Sequence, residues 1–176
     1  MITTRDEITK ILNQDIVGCE LGVFEGEFSN ILLNTNKFKK LYLVDMFTGM
    51  IDSGDKNGNN VKYKNGEDLL KEVTFKFKNN KNIEVVKSDS LKFLSNFENH
   101  FFDFIYIDTS HQYEHTKNEL NLSLKKIKPG GIISGHDYNK THFKGVVDAV
   151  DEFSKENKLE LHLTTSDFLE TFYFKL

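Results

Sequence analysis

A chain of 176 residues, 38% of them hydrophobic and 12% aromatic, can bury one full core, and two domains would be cramped. Its formal charge of −4 comes from 23 basic and 27 acidic residues that are well mixed, which gives no broad positive field for binding a phosphate backbone. Nucleic acid is therefore disfavoured as a partner. The opening MITTRDEITKILNQ has neither the apolar run of a signal peptide nor a span long enough for a bilayer, and the single Cys19 excludes an internal disulfide. A cytoplasmic protein with no membrane partner is expected.

Taken in chain order, the first strand candidate is IVGCEL (16–21), in which Cys19 reads as a buried, inert thiol. Helical periodicity follows in SNILLNTNKF, and then a second strand, LYLVD (41–45). Residues 52–66, DSGDKNGNNVKYKNG, are rich in Gly, Asn, Asp and Lys, and 47–66 reads as a mobile loop or lid before a weak helix, EDLLKEVTFKFK. Next come the strand IEVVKS (83–88), the helix SLKFLSNF, the strand FDFIYID (102–108) and the helix YEHTKNELNLSLKKI, which carries Leu120, Leu124 and Ile127 on one face. The strand GIISGHD (131–137) precedes the helix GVVDAVDEFSKEN, whose Val146, Val147, Val150 and Phe153 cluster together. Two strands, LELHLT (159–164) and ETFYFKL (170–176), close the chain.

This alternation predicts a single doubly wound α/β domain over residues 1–176, with a mostly parallel seven-stranded sheet and helices on both faces. Only a short link around TSDF separates the last two strands, too little for a crossover helix, so they are expected to form a C-terminal antiparallel hairpin.

In a parallel sheet, ligands dock at the carboxyl ends of the strands, where helix N-termini and free N–H groups converge. Gly22 and Gly26 let the backbone approach a ligand there or adopt dihedrals that a side chain forbids. The spacing Glu20-x-Gly22-x-x-x-Gly26 is not the G-x-G-x-x-G of dinucleotide folds, and a carboxylate beside the turn repels pyrophosphate while welcoming an ammonium group. Asp45, at the next strand tip, can accept both hydroxyls of a ribose. Asp89 stands at the third tip, where it and Ser90 suit an adenine edge or a helix cap. Three acids on three successive tips describe a pocket for an adenosine with an amino-acid tail.

On these residues the chain resembles the class I S-adenosylmethionine-dependent methyltransferases, from about residue 16 to the end. CELGVFEGEFS looks like that family's first motif, LYLVD its second and VVKSDSLKFL its third. The segment FDFIYIDTSHQYEHTKNELNLSLKKIKPGGIISGHDY is the most specific match. It is similar to the small-molecule O-methyltransferase branch that includes macrocin-type (macrolide-sugar) enzymes and proteins found beside cephalosporin-hydroxylase-like genes. The resemblance implies a Rossmann-like methyltransferase fold and S-adenosylmethionine as cofactor. It also implies cofactor roles for Glu20, Gly22, Asp45 and Asp89, with Gly26 and Ser90 grouped beside them.

Asp108 and Asp137 end adjacent strands, so both carboxylates face one edge and repel unless a proton or cation lies between them. A divalent ion such as Mg²⁺ answers that repulsion and would lower the pKa of an acceptor hydroxyl. In the resembling enzymes the metal ligands are the positions matched by Asp108, His136 and Asp137, and the base is the position matched by His111. His136 stands where some of them place an acid, and imidazole suits Mn²⁺, Fe²⁺ or Zn²⁺ better than Mg²⁺. The alternative is that the two aspartates only cap the segments that follow them. His111 has a near-neutral titration and, with Asp108, is assigned to catalysis. Phe47, Tyr113 and Tyr138 are candidates to pack on adenine or substrate, while His100, His115, His142 and His162 are expected in surface or structural roles.

The expected activity is methyl transfer to a hydroxyl of a small, sugar- or polyol-like acceptor, with homo-oligomerisation left open. A cofactor-binding protein without turnover is the main alternative, because almost nothing precedes the first strand, where relatives often carry helices. A nicotinamide-dependent oxidoreductase lacks its G-x-G-x-x-G, and a nucleic-acid methyltransferase lacks an N-P-P-Y type of motif. A hydrolase built on Ser110 lacks the G-x-S-x-G elbow.

Overall fold

The computed structural model describes residues 2–48, 50–52, 62–167 and 169–176, so the middle of the expected lid lies outside the described residues. A 3₁₀ turn, Arg5–Ile11, leads into β1 (Ile16–Leu21), α1 (Glu27–Asn34), β2 (Phe38–Asp45), the short pair β3 (Met50–Asp52) and β4 (Lys62–Lys64), and α2 (Gly66–Phe77). There follow β5 (Ile83–Lys87), α3 (Ser90–Ser95), β6 (Phe102–Ile107), α4 (Tyr113–Lys126), β7 (Ile127–Tyr138), α5 (Lys144–Asn157), β8 (His162–Leu163) and β9 (Glu170–Lys175). The main sheet has seven strands in the order β5-β2-β1-β6-β7-β9-β8. β1, β2, β5, β6 and β7 pair in parallel, whereas β9 runs antiparallel to both of its neighbours. The closing hairpin thus forms as the short TSDF link requires.

Side-chain alternation along the strands divides the core between two faces. Phe104 and Tyr106 of β6 pack with Phe28 and Leu32 of α1 and with Leu69, Val73 and Phe77 of α2. Ile105 and Ile107 face the other way, toward Phe93 and Leu94 of α3, Leu120 of α4, and Val146, Val147, Val150 and Phe153 of α5. Cys19 is fully buried in this second layer, and burial pushes its thiol well up, as an inert side chain requires.

Three local features depart from the sequence reading. β2 begins at Phe38, which the helical reading had assigned to the preceding segment; its ring packs against Phe104, so tertiary contact overrides local periodicity. β7 begins directly after α4, at Ile127, and β8 is only two residues long. The N-terminal segment is a built part of the molecule. Ile2, Ile8 and Leu12 are buried, the carbonyl of Thr3 accepts from the N–H groups of Thr165 and Ser166, and the Arg5 N–H donates to Asp167 Oδ2 at 2.6 Å. Burying three aliphatic side chains supplies on the order of 5 kcal/mol, enough to hold a short turn in place. Among the described residues no helix is long and apolar enough to cross a membrane.

Candidate functional site

The carboxyl ends of β1, β2, β5, β6 and β7 converge on one edge, and two cavities open there. Gly22 follows β1 with a φ of 89°, and a Cβ on it would lie 1.8 Å from the carbonyl oxygen of Asp108. Only glycine allows that approach. The Gly22 N–H donates to Val44 O at 2.8 Å, and the Asp108 N–H to Leu21 O at 2.7 Å, so three strand tips are stitched at one point.

The first cavity, about 290 Å³, has walls from Gly22, Phe24, Asp45, Phe47, Asp89, Ser90 and His115, and it extends to Asp108 and Thr109. Asp45 organises it. One carboxylate oxygen accepts from the N–H groups of Val23 and Phe24 at 2.9 and 3.0 Å, and the other accepts from Phe47 N–H at 2.7 Å. Phe24 and Phe47 are both held at positive φ, 50° and 47°, a strained state that such ties make affordable. Asp89 caps α3 by accepting from Lys92 N–H at 2.9 Å and lines the cavity as well, so its two candidate roles coexist.

Glu20 and Gly26 line neither of these two cavities. Glu20 is 1% exposed and accepts from the Ser29 hydroxyl, and burial pushes its carboxyl up to about 8. Gly26 caps α1 at a φ of 71°, and a Cβ there would meet the Phe77 ring at 2.8 Å. Both residues serve the β1–α1 junction rather than the ligand edge. Tyr113 and Tyr138 line neither cavity, since their hydroxyls donate to Glu152 and Asp151 on α5.

The second cavity, about 420 Å³, lies on the α1 side and shares Gly22, Phe24, Asp108 and Thr109 with the first. Its inner wall carries Asp108, His111, Asp137 and Arg5. His111 Nε2 lies 2.7 Å from Asp137 Oδ2, and His136 Nδ1 lies 3.0 Å from Asp137 Oδ1. Burial alone would raise the Asp137 carboxyl, but the hydrogen bonds from His111 and His136 outweigh it and hold the group well below the usual range. The same Asp137 bond raises the His111 imidazole. Burial raises Asp108, against the opposing pull of Arg5 and the histidines. Asp137 has a φ of 63°, a strained conformation that the two histidine contacts compensate.

Among the described residues, Asp108, His111 and Asp137 are the group whose ligating atoms all lie within 4.8 Å of one another. His136 is not in that group, its Nδ1 being turned to Asp137 Oδ1; the carboxylate oxygens and imidazole nitrogen of the three make a donor set that fits a divalent cation of intermediate softness.

Two contributors escape sequence reasoning. Arg5, from the N-terminal turn, places Nη2 3.3 Å from Asp108 Oδ2, with its guanidinium 4.2 Å from the centre of the Phe28 ring. It is the one arginine among the 23 basic residues, which was the signal available. His115, half-buried, lines the first cavity; its spacing of four from Glu119 on α4 was the readable hint. His100 and His162 have the structural settings expected of them, against Ile127 O and stacked on Tyr173.

A seven-stranded sheet with one antiparallel strand and a cavity at its parallel tips defines a class I S-adenosylmethionine-dependent methyltransferase fold. Residues 19–138 match a methyltransferase domain family, and the chain belongs to that family. No curated protein matches the sequence. Among solved structures, a protein from Streptococcus mutans in complex with SAH superposes with a TM-score of 0.69 at 15% identity, over 100% of both chains. The N-methyltransferase NodS from Bradyrhizobium japonicum gives 0.64 at 16% identity, over 97% of this chain and 93% of its own. A Staphylococcus aureus protein named for caffeoyl-CoA O-methyltransferases gives 0.68 at 13% identity, over 100% of this chain and 86% of its own. Likeness at these identities concerns the fold.

Proposed function

We propose that the protein transfers the methyl group of S-adenosylmethionine to a hydroxyl oxygen of a small, sugar- or polyol-like molecule. The observation that carries this reading is the meeting of the two cavities at Gly22 and Asp108. The first is flanked by Asp45 and Asp89 and seats the nucleoside; the second is flanked by His111, Asp108 and Asp137 and seats the acceptor. Because the sulfonium already activates its methyl group, the chain mainly has to align the acceptor and remove its proton.

His111 is the base. Asp137, with Oδ2 2.7 Å from Nε2, fixes the ring and leaves Nδ1 to take the proton, while the Phe143 ring, centred 4.0 Å away, limits its rotation. Asp108 and Asp137, with His136, would hold a divalent cation, which when bound supplies Lewis-acid activation of the hydroxyl. The net charge of −4 favours a small acceptor over nucleic acid.

Calorimetry with S-adenosylhomocysteine tests the cofactor half: the wild-type chain binds, and Asp45→Ala weakens binding by about a hundredfold, since three backbone N–H ties and a ribose partner are lost together. Unchanged affinity removes Asp45 from the site. Incubation with methyl-labelled cofactor and a panel of glycosides, polyols and catechols tests the acceptor half, with mass spectrometry locating the label. Label on nitrogen or carbon in place of oxygen overturns the hydroxyl assignment.

A further inference from the structure

We propose that His115, tied to the buried Glu119, donates a hydrogen bond from the wall of the first cavity to a ring nitrogen of the cofactor's adenine. The inference rests on the reading that this cavity seats the nucleoside. Glu119 is 0% exposed on the inner side of α4, and a carboxylate buried that deeply is costly unless partnered. Its oxygens accept from the Thr109 hydroxyl at 2.9 and 2.7 Å, and His115 Nε2 lies 3.2 Å from Oε1. The spacing of four residues on α4 stacks the imidazole over the carboxylate. Ser90 Oγ lies 3.3 Å from the same nitrogen, so Nε2 is turned to the protein and the rest of the ring is available to the cavity it lines.

Among the described residues, the charged groups that act on this imidazole or share its cavity wall are acidic. Glu119 faces it from its own helix and Asp89 from the start of α3, while Asp45 and Asp108 share the cavity wall. The Glu119 hydrogen bond is the largest influence and raises the imidazole above its ordinary 6.5, against the opposing effect of burial. A charged ring donates from Nδ1, and the adenine ring nitrogens only accept. A neutral ring that keeps its Nε2 proton on Glu119 has no donor left for them. Cofactor affinity should therefore be full where His115 is charged and fall as pH rises through its raised value.

The test is calorimetry of S-adenosylhomocysteine on the full chain between about pH 6 and about pH 8.5, with His115→Gln as the key variant. Glutamine keeps an amide donor for Glu119 and removes the charge. The expected result is a loss of about tenfold in wild-type affinity across the range. His115→Gln should bind about tenfold more weakly at the acid end and match the wild type at the alkaline end. Glu20, pushed up to about 8, titrates in the same window, but it is present in both proteins and cancels in the comparison.

Glu119→Gln should move the wild-type fall to lower pH, and thermal unfolding checks that each variant is folded. 5′-Methylthioadenosine, which lacks the amino-acid tail, should keep the pH dependence if adenine is the contact. A His115→Gln protein that binds with wild-type affinity and wild-type pH slope overturns the inference, as does a dependence that vanishes with methylthioadenosine. Absence of S-adenosylhomocysteine binding by the wild type at every pH overturns the methyl-transfer reading, and this inference with it.

Discussion

The two cavities that meet at Gly22 are built in different ways. The proposed cofactor side is set by backbone: the Asp45 carboxylate is fixed by three N–H groups, and Asp89 by the first turn of α3. The proposed acceptor side is set by side chains from separate segments, with Arg5 from the N-terminal turn, Asp108 and His111 after β6, and Asp137, tied to His136, near the end of β7. A site held by backbone amides needs only short motifs. One held by ion pairs needs the whole fold to deliver each partner, and Asp137 pays in backbone strain at a φ of 63°.

Substitutions can break or sharpen this contrast. Gly22→Ala should have the largest effect, because its Cβ would overlap Asp108 O at 1.8 Å where both cavities meet. A loss of ~3 kcal/mol or more in chemical denaturation is expected, together with loss of S-adenosylhomocysteine binding. If the variant proves stable and binds normally, the shared-wall picture fails. A second measurement concerns Mn²⁺ binding followed by electron paramagnetic resonance. His136→Ala should weaken it at least tenfold and His111→Ala by much less, if His136 is the ligand and His111 the base. The reverse order would exchange their roles.

Smaller still is the effect on His111 itself. In metal-free protein its imidazole should titrate above 6.5 by nuclear magnetic resonance, because the ionised Asp137 stabilises the charged form. Asp137→Asn should bring that midpoint down while S-adenosylhomocysteine affinity changes by less than about twofold. The stability contributed by this pair is present below the unfolded imidazole's pKa and is lost as pH rises through the raised one. Arg5→Lys should be the mildest, costing about 1 kcal/mol: the lysine keeps a charge for Asp108 but loses the planar contact with Phe28. A loss of cofactor affinity in that variant would show that the two sides are less separate than their construction suggests.

Much of the cofactor side could be read from the chain because its signals are local. Each acid there stands at the end of an apolar run, and β1 was located to the residue, Ile16–Leu21. The burial of Glu20 was not readable, because alternation within a strand tip tells which face a side chain takes only once the covering helix is known, and α1 covers it through Ser29. The acceptor side was legible only in part. Asp108 and Asp137 end predicted strands and His111 follows one, but Arg5 lies before all of them, in a turn whose place depends on contacts with residues 165–167. No short-range pattern encodes such a meeting.

What the amino-acid order determined by itself was the alternation of strands and helices, the closing hairpin and the acids at the strand tips, since apolar periodicity and link length act over a few residues. What only the tertiary structure decided was which of those acids line a cavity, that His115 leans on a buried Glu119, and that the one arginine reaches Asp108. These are pairings between distant or oppositely facing positions, and burial and charge settle them only when the whole sheet is in place.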